Sequence, residues 1–414
     1  MARRHPELAV VLGDDHVATL RSTRDGLQLA YLPETVSRLG VGGVCLSMAL
    51  PVTGRRITGA SVEWWAEGLL PEGEARTVLE DRFGVRRGDT FGLLAEVGRD
   101  CAGAVTFVRD GDDGRKPSLD PLSDDDLERR IADLPQHPLG ASDDTPVSLA
   151  GLQHKLLLVR TEQGWARPLH GRPSTHILKP DPFERPGLIS AEALVMTAAR
   201  LAGIDVAAVE LVHIGDRDVL VVERFDRRTE GDRVVRVHQE DGCQALGIDP
   251  GRDHKYERPR HRDSPSYGRL ARLLLDHAID PRAEQSKLAR AMVLHIASGN
   301  TDAHARNHGF LLERGTAGFA PVYDAAPTIE FSTTWRCALT VCGQDRLESV
   351  TGRHLALEAR SWTPLRDDGP EVVAETLGRL ADAFGAAAAL IPQVDDALVA
   401  RMCERTARLA GSLG

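Results

Sequence analysis

The stretch NTDAHARNHGFLL, Asn300 to Leu312, gathers an aspartate, an asparagine and two histidines. Three readings compete for it. His304 and His308 stand one helical turn apart, the spacing with which two imidazoles on one helix face grip a metal. Asp302 and Asn307 stand as they do in phosphotransfer loops. There a carboxylate orients and accepts the proton of the attacking hydroxyl, and an amide oxygen holds Mg²⁺. The third reading is an ordinary polar turn, since Asp and Asn favour turns. A metal-gripping helix needs an apolar face opposite its histidines, and TDAHARN offers none. Gly299 and Gly309 punctuate the stretch as a loop, and no third ligand stands nearby.

The phosphotransfer reading makes further demands, and the chain meets them in order. FAPVYDAAPT places Asp324 after a short strand, where a second metal-bridging carboxylate belongs. THILKP ends an apolar strand on Lys179, a position for a lysine that reaches the α- and β-phosphates. Glu192, early in the next helix, can hold that lysine. VVERFDRR reads as the linker strand whose backbone meets adenine, with Glu223 and Phe225 flanking the base and Asp226 near the ribose. Each residue has a bland counterpart: a strand-end lysine, a glutamate favoured by a helix dipole, a charged edge strand. The ordered set is what separates the two.

These residues need elements to carry them. LAVVLG, HVATLRS and GLQLAYL read as strands joined by hairpin turns. SVEWWAEGLL and GEARTVLEDRFG read as helices, the second stopping at Gly84, and AGAVTFV as a strand. Residues 111–146 are rich in Asp, Pro, Gly and Ser and read as a connector. A helix over Asp124 to Leu134, N-capped by Ser123, interrupts it. KLLLVR and THILKP are strands, followed by a helix from Ala191 to Leu201 with Ser190 as N-cap and Gly203 as its stop. VAAVELVHIG and DVLVVERFDRR form a strand pair. From Tyr267 the pattern is helical, with apolar spacing near 3.6 in LARLLLDHAI, EQSKLARAMVLHIASG, EVVAETLGRLADAFG and DDALVARMCERTARLAG. Strands first and helices after predict an α+β protein. Its expected units are an N-terminal sub-domain at 1–110, the connector at 111–146, a sheet-based lobe at 147–235 and an all-helical lobe at 236–414.

The 414 residues carry a formal charge of −10, which argues against a naked nucleic-acid binder. One basic run, RDHKYERPRHRDSPSYGRLAR, could touch DNA or substrate, but a solvated loop is the plainer expectation. The six cysteines form no CxxC pair and predict free thiols in a reducing cytoplasm. The apolar run in MARRHPELAVVL is too short for a signal peptide, and no stretch has the length of a membrane helix.

On these motifs the chain resembles the HipA family, serine/threonine kinase toxins of bacterial toxin–antitoxin pairs. LSMALPV, GLLPEGEARTVLEDRFGV and LLAEVGRDCAGAVTFV resemble its N-terminal sub-domain. SLAGLQHKLLLV resembles its phosphate-binding loop, and THILKP, VERFDRR, HQEDGCQALGI, TDAHARNHGFLL and PVYDAAPT follow in family order. The resemblance implies a protein-kinase-like fold using ATP and Mg²⁺. It implies Asp302 as catalytic residue, Asn307 and Asp324 as Mg²⁺ ligands and Lys179 as the ATP-phosphate lysine. Glu223 and Phe225, with Asp226, would form the adenine side, and Ser148, Gly151 and Gln153 the phosphate loop. Gln239, Glu240 and Asp241 match a motif beside the active site without assigned roles, and His304 shapes the catalytic loop. Ser148 matches the serine that family members autophosphorylate, an event that flips the loop out. His154 departs from the polar or acidic residue expected there. The implied partners are a HipB-like helix-turn-helix antitoxin, operator DNA reached mainly through it, and an aminoacyl-tRNA synthetase as substrate. A small-molecule kinase on the same fold and a catalytically idle co-repressor are the alternatives.

Overall fold

The computed structural model describes residues 7–109, 115–231, 233–251, 254–258, 261 and 263–414. The first three strands, Glu7–Leu12, Asp15–Thr23 and Gly26–Tyr31, form an antiparallel meander. Val105–Arg109 returns beside the first and Ile57–Thr58 closes the other edge. Alternate residues point inward: Leu8 and Val10 on one strand, Leu27, Leu29 and Tyr31 on another. They meet Trp65 of helix Ala60–Gly68, Leu69 just after it, and Leu93 and Leu94 of helix Thr90–Val97, so this unit has its own core.

The second unit is a six-stranded antiparallel sheet. Its order is Val209–Ile214, Arg217–Glu223, His176–Pro180, Leu156–Thr161, Gly164–Leu169, Ser118–Pro121. The period of two along Arg217–Glu223 is used on both faces. Val219 and Val221 pack with Leu127 and Ile131 of helix Asp124–Ala132, while Leu220 and Val222 join the large core beneath.

Two expectations change here. The connector is more than a spacer, because Ser118–Pro121 pairs with Gly164–Leu169 and completes the sheet edge. The helix after Lys179 runs Leu188–Leu201 and starts a turn before Ser190, which is buried inside it. Gly187, in the left-handed conformation, stands at its N-cap, and the Asp181 carboxylate accepts from the N–H groups of Gly187 at 2.6 Å and Ile189 at 3.2 Å. A side chain from the preceding loop thus satisfies donors that Ser190 was expected to cap. Ser123, by contrast, caps its helix by accepting from the Asp126 N–H.

The C-terminal lobe is assembled around the helix Pro281–Ser298, against which Tyr267–His277, Gly352–Ser361, Gly369–Ala388 and Asp396–Ala410 pack. It is not all helix. Gln239–Asp241, Gly309–Glu313 and Thr316–Phe319 form a small antiparallel sheet, and Arg336–Val341 pairs with Gln344–Arg346. These strands are too short for periodicity to announce them. The six cysteines are free. Among the described residues no helix is long and apolar enough to cross a membrane.

The three units are sewn together by buried polar contacts. Asp100 of the first unit takes the guanidinium of Arg227 at 2.9 Å and the Ser174 hydroxyl at 2.6 Å. Asp226 pairs with Arg224 at 2.8 Å and accepts the Gly103 N–H at 2.6 Å. Further along, Glu240 accepts the Met48 N–H at 2.8 Å, and Gln244 donates to the Trp65 carbonyl at 2.8 Å.

Candidate active site

Helix Pro281–Ser298 ends on Gly299, whose left-handed φ of 84° turns the chain sharply into Asn300. The Asn300 side chain accepts the Asp302 N–H at 2.9 Å, and Thr328 accepts the Thr301 N–H at 2.8 Å. A single 3₁₀ turn, Ala305–Asn307, follows and leads into strand Gly309–Glu313. The Asn307 amide donates to the Asp302 carbonyl at 2.8 Å, which leaves its side-chain oxygen available. So the two residues are held together by the loop itself.

Asp324 lies on the turn after that sheet. Its φ of 57° is left-handed, a conformation that costs a non-glycine residue on the order of 1 kcal/mol and collects at functional sites. Across the cleft, strand His176–Pro180 delivers Lys179, whose Nζ donates to Glu192 Oε1 at 2.8 Å and to Asp324 Oδ1 at 2.5 Å. Burial works against the charged lysine, but Asp324 and Glu192 outweigh it and hold its pKa above the usual value. Burial also pushes Glu192 up against the pull of Lys179.

Asp302, Asn307, Asp324, Lys179 and Glu192 line one cavity of about 660 Å³. Its roof is the loop from Leu149 to Lys155. Gly151 has φ 113°, and a Cβ there would sit 2.6 Å from the Lys155 ammonium, so the loop can close over the lysine only with glycine. Lys155 donates to the Ala150 carbonyl at 2.7 Å, and burial together with the charge of Lys179 lowers its pKa to about 8. Gln153 Nε2 is buried without a partner. Ser148 is 0 % exposed and its hydroxyl donates to the Leu69 carbonyl at 2.7 Å, below the cavity wall.

At the far wall Glu223 has an exposed side chain, and the Phe225 ring packs against Tyr323 at 5.6 Å. Asp226 is placed differently from the ribose expectation. Its carboxylate is taken up by Arg224, Arg227 and the Gly103 N–H, and these charges hold its pKa far below the carboxylate range despite burial. It braces the linker and has no free oxygen to offer a sugar. Gln239 donates to Asp226 at 3.3 Å. Burial raises Glu240 to about 8. Asp241 caps helix Gly242–Leu246 through a capping box with Gln244 and pairs with Arg306 at 3.0 Å.

The histidines do not form a metal pair. His304 Nε2 lies 4.0 Å from Asp302, and burial drives its pKa well below the usual value. His308 is wedged between Tyr267 and Phe319, with burial lowering its pKa to about 4. It is a core side chain.

Several residues at the site carried no sequence signal of their own. Lys155 sits inside SLAGLQHKLLLV, where its type and spacing do not distinguish it from an ordinary loop lysine. The basic run expected as a solvated loop instead sends Lys255, 4 % exposed, and Tyr256 into the site. The Tyr256 hydroxyl donates to Asp302 Oδ1. Lys255 meets Glu72 at 3.4 Å, and Arg306 meets Glu72 at 2.7 Å. The rest of that run includes Arg252, Asp253, Pro259, Arg260 and Arg262, which lie outside the described residues. A lysine–tyrosine pair amid arginines is the one hint the sequence held.

The donors suit a hard divalent cation and a polyphosphate. The Asn307 amide oxygen and the Asp324 carboxylate are oxygen ligands of the kind Mg²⁺ takes, and the orphaned Gln153 N–H with Lys155 and Lys179 form an anion cradle.

Comparison with known proteins finds relatives over most of the chain. Residues 147–391 match the family model described as the HipA-like C-terminal domain, and residues 8–108 match the HipA N-terminal domain. The chain is 32% identical over 359 residues to the putative kinase Y4mE of Sinorhizobium fredii, covering 82% of this chain and 84% of that one. It is 34% identical over 295 residues to the serine/threonine-protein kinase toxin HipA of Shewanella oneidensis, covering 68% and 66%. A solved Shewanella oneidensis MR-1 structure, toxin–antitoxin system HipA with HipB and its operator DNA, superposes with a TM-score of 0.81 at 27% identity, covering 98% of this chain and 96% of that chain.

Proposed function

The chain belongs to the HipA family of serine/threonine kinase toxins, and from that premise we propose that it is an ATP- and Mg²⁺-dependent serine/threonine protein kinase acting as a toxin. One observation carries the reading. Lys179 bridges Glu192 and Asp324 within the cavity that also holds Asp302 and Asn307, so residues from four separate stretches meet as phosphoryl transfer requires.

The roles follow from the chemistry. Lys179 and Lys155 set positive charge against the α- and β-phosphates. Glu223 and Phe225 bound the adenine end, and the Gln153 N–H faces the phosphates from the roof. Asn307 and Asp324 would hold Mg²⁺, which when bound neutralises phosphate charge. Asp302 orients the seryl or threonyl hydroxyl of the acceptor and takes its proton as the oxygen attacks the γ-phosphorus and the bond to ADP breaks. Burial raises the Asp302 pKa above the ordinary carboxylate value, against the pull of the Tyr256 hydrogen bond and of Lys255.

Ser148 is the proposed site of self-phosphorylation. A phosphate with nearly two charges has no place in the closed pocket beneath Leu69. The loop must leave to be modified, and once out it withdraws Gln153 and Lys155 from the cavity. Because the Shewanella relative was solved with HipB and operator DNA, we extend a HipB-like antitoxin to this chain. DNA contact through that partner fits the charge of −10. An aminoacyl-tRNA synthetase is the substrate proposed by family resemblance.

The test is incubation of the full chain with Mg·ATP and mass spectrometry, wild type beside Asp302→Ala. Phosphate on Ser148 in the wild type and none in the variant is expected. Equal phosphate in both would overturn the role of Asp302. Active wild type with Ser148 unmodified would remove the self-inactivation.

A further inference from the structure

We propose that Tyr256 is a positioning residue for Asp302, its phenol fixing one carboxylate oxygen so that the other meets the acceptor hydroxyl. The inference rests on the reading of Asp302 as proton acceptor. Tyr256 lies outside the catalytic loop, yet its hydroxyl donates to Asp302 Oδ1, and among the described residues no other side chain hydrogen-bonds that carboxylate. A carboxylate on one bond rotates freely unless a donor pins it. Pinning Oδ1 leaves Oδ2 as the acceptor on a residue that lines the cavity.

The segment that carries Tyr256 is itself fixed on both flanks. The Ala305 N–H of the catalytic loop donates to the Lys255 carbonyl at 3.0 Å, and the Glu257 N–H donates to the Ala338 carbonyl at 2.8 Å. The Lys255 ammonium is held by Glu72 of the N-terminal unit. The Tyr256 ring stands edge-on to His304 with centroids 5.2 Å apart, so it rests on the loop whose aspartate it holds. The other groups acting on Asp302 are Lys255, which favours its ionised form, and Asp324 and Glu72, which oppose it. His304, at 4.0 Å, is uncharged in its buried place. A phenol donating to the anion favours ionisation as well.

The experiment compares full-length wild type, Tyr256→Phe and Asp302→Asn for transfer of labelled phosphate from [γ-³²P]ATP to the chain's own hydroxyls, with ATP affinity and melting midpoint measured separately. Phe keeps the ring against His304 and removes the hydroxyl that donates to Asp302. The expected result is a rate roughly ten- to a hundredfold lower with ATP affinity within about twofold, so that the loss falls on the transfer step and not on nucleotide binding. An unchanged rate in Tyr256→Phe, with Asp302→Asn dead, overturns the proposal. So does a loss of rate matched by an equal loss of ATP affinity, which marks a structural role alone. Activity in Asp302→Asn would instead bring down the proton-acceptor reading beneath it. If Phe lowers the melting midpoint, replacement of Tyr256 by 3-fluorotyrosine, which keeps the hydroxyl, is expected to hold the rate within about twofold of wild type, and a loss as large as that of Phe counts against the proposal.

Discussion

Lys155 is where nucleotide binding and pH meet. Its pKa is lowered to about 8 by burial and by Lys179, whereas Lys179 stays charged because its carboxylate partners hold its pKa high. Bound phosphate favours the charged form, so the bound pKa lies above the free one. ATP affinity is therefore expected to be flat below about pH 8 and to fall, by up to roughly tenfold per unit, above it. Lys155→Met should bind ATP more weakly and lose that slope, a result that titration of nucleotide from pH 7 to 9.5 would read. A wild-type profile flat to pH 9.5 contradicts it. At this scale the sequence was most legible where a residue's type is dictated by phosphoryl transfer. Asp302, Asn307, Asp324, Lys179 and Glu192 come together in one cavity in the order their motifs appear. Asp226 misled, because an aspartate beside the linker looks the same whether it faces a ribose or a pair of arginines. Its sequence neighbours Arg224 and Arg227 turn inward onto it, and the fold decides that orientation. Tyr256 and Lys255 were illegible for another reason: their partners lie 46 and 183 residues away in the chain.

Elements whose signals are local were readable from local sequence. The hairpin of the first unit, the helix capped by Ser123 and the amphipathic helices Gly369–Ala388 and Asp396–Ala410 all rest on periods and caps that lie inside their own stretch. The start of helix Leu188–Leu201 was not readable, because its cap is Asp181, in the loop after Lys179. Removing a capping acceptor typically costs about 1 kcal/mol. Asp181→Ala is thus expected to lower stability by about that amount and to loosen the helix that carries Glu192. Ser190→Ala should cost distinctly less. Urea unfolding of both variants checks the order, and a larger loss from Ser190→Ala would return the cap to Ser190. The short strands Gln239–Asp241 and Gln344–Arg346 were invisible because three residues carry no periodicity. Their pairing is decided by the strands they meet.

Across the whole molecule, the N-terminal unit is bonded to both kinase lobes through groups that water does not reach. Asp100 is fully buried among Arg224, Arg227 and Arg236, whose charges keep it ionised against the pull of burial. Taking away one member of such a set strands the rest without compensation, at a cost of about 3–5 kcal/mol. Asp100→Ala is expected to lose stability in that range by chemical denaturation, with one cooperative transition covering all three units. A loss below about 1 kcal/mol would show the cluster to be hydrated in solution. The same arrangement has a meaning for descent. Asp100 and Arg227 stand 127 residues apart, yet a change at either leaves the other as a buried charge short of a partner. Lineages should therefore inherit the ionic set as a block. Chimeras that graft the N-terminal unit of one relative onto the lobes of another are expected to fold only where both parents carry the same pairing of charges, so this seam restricts which crossovers survive.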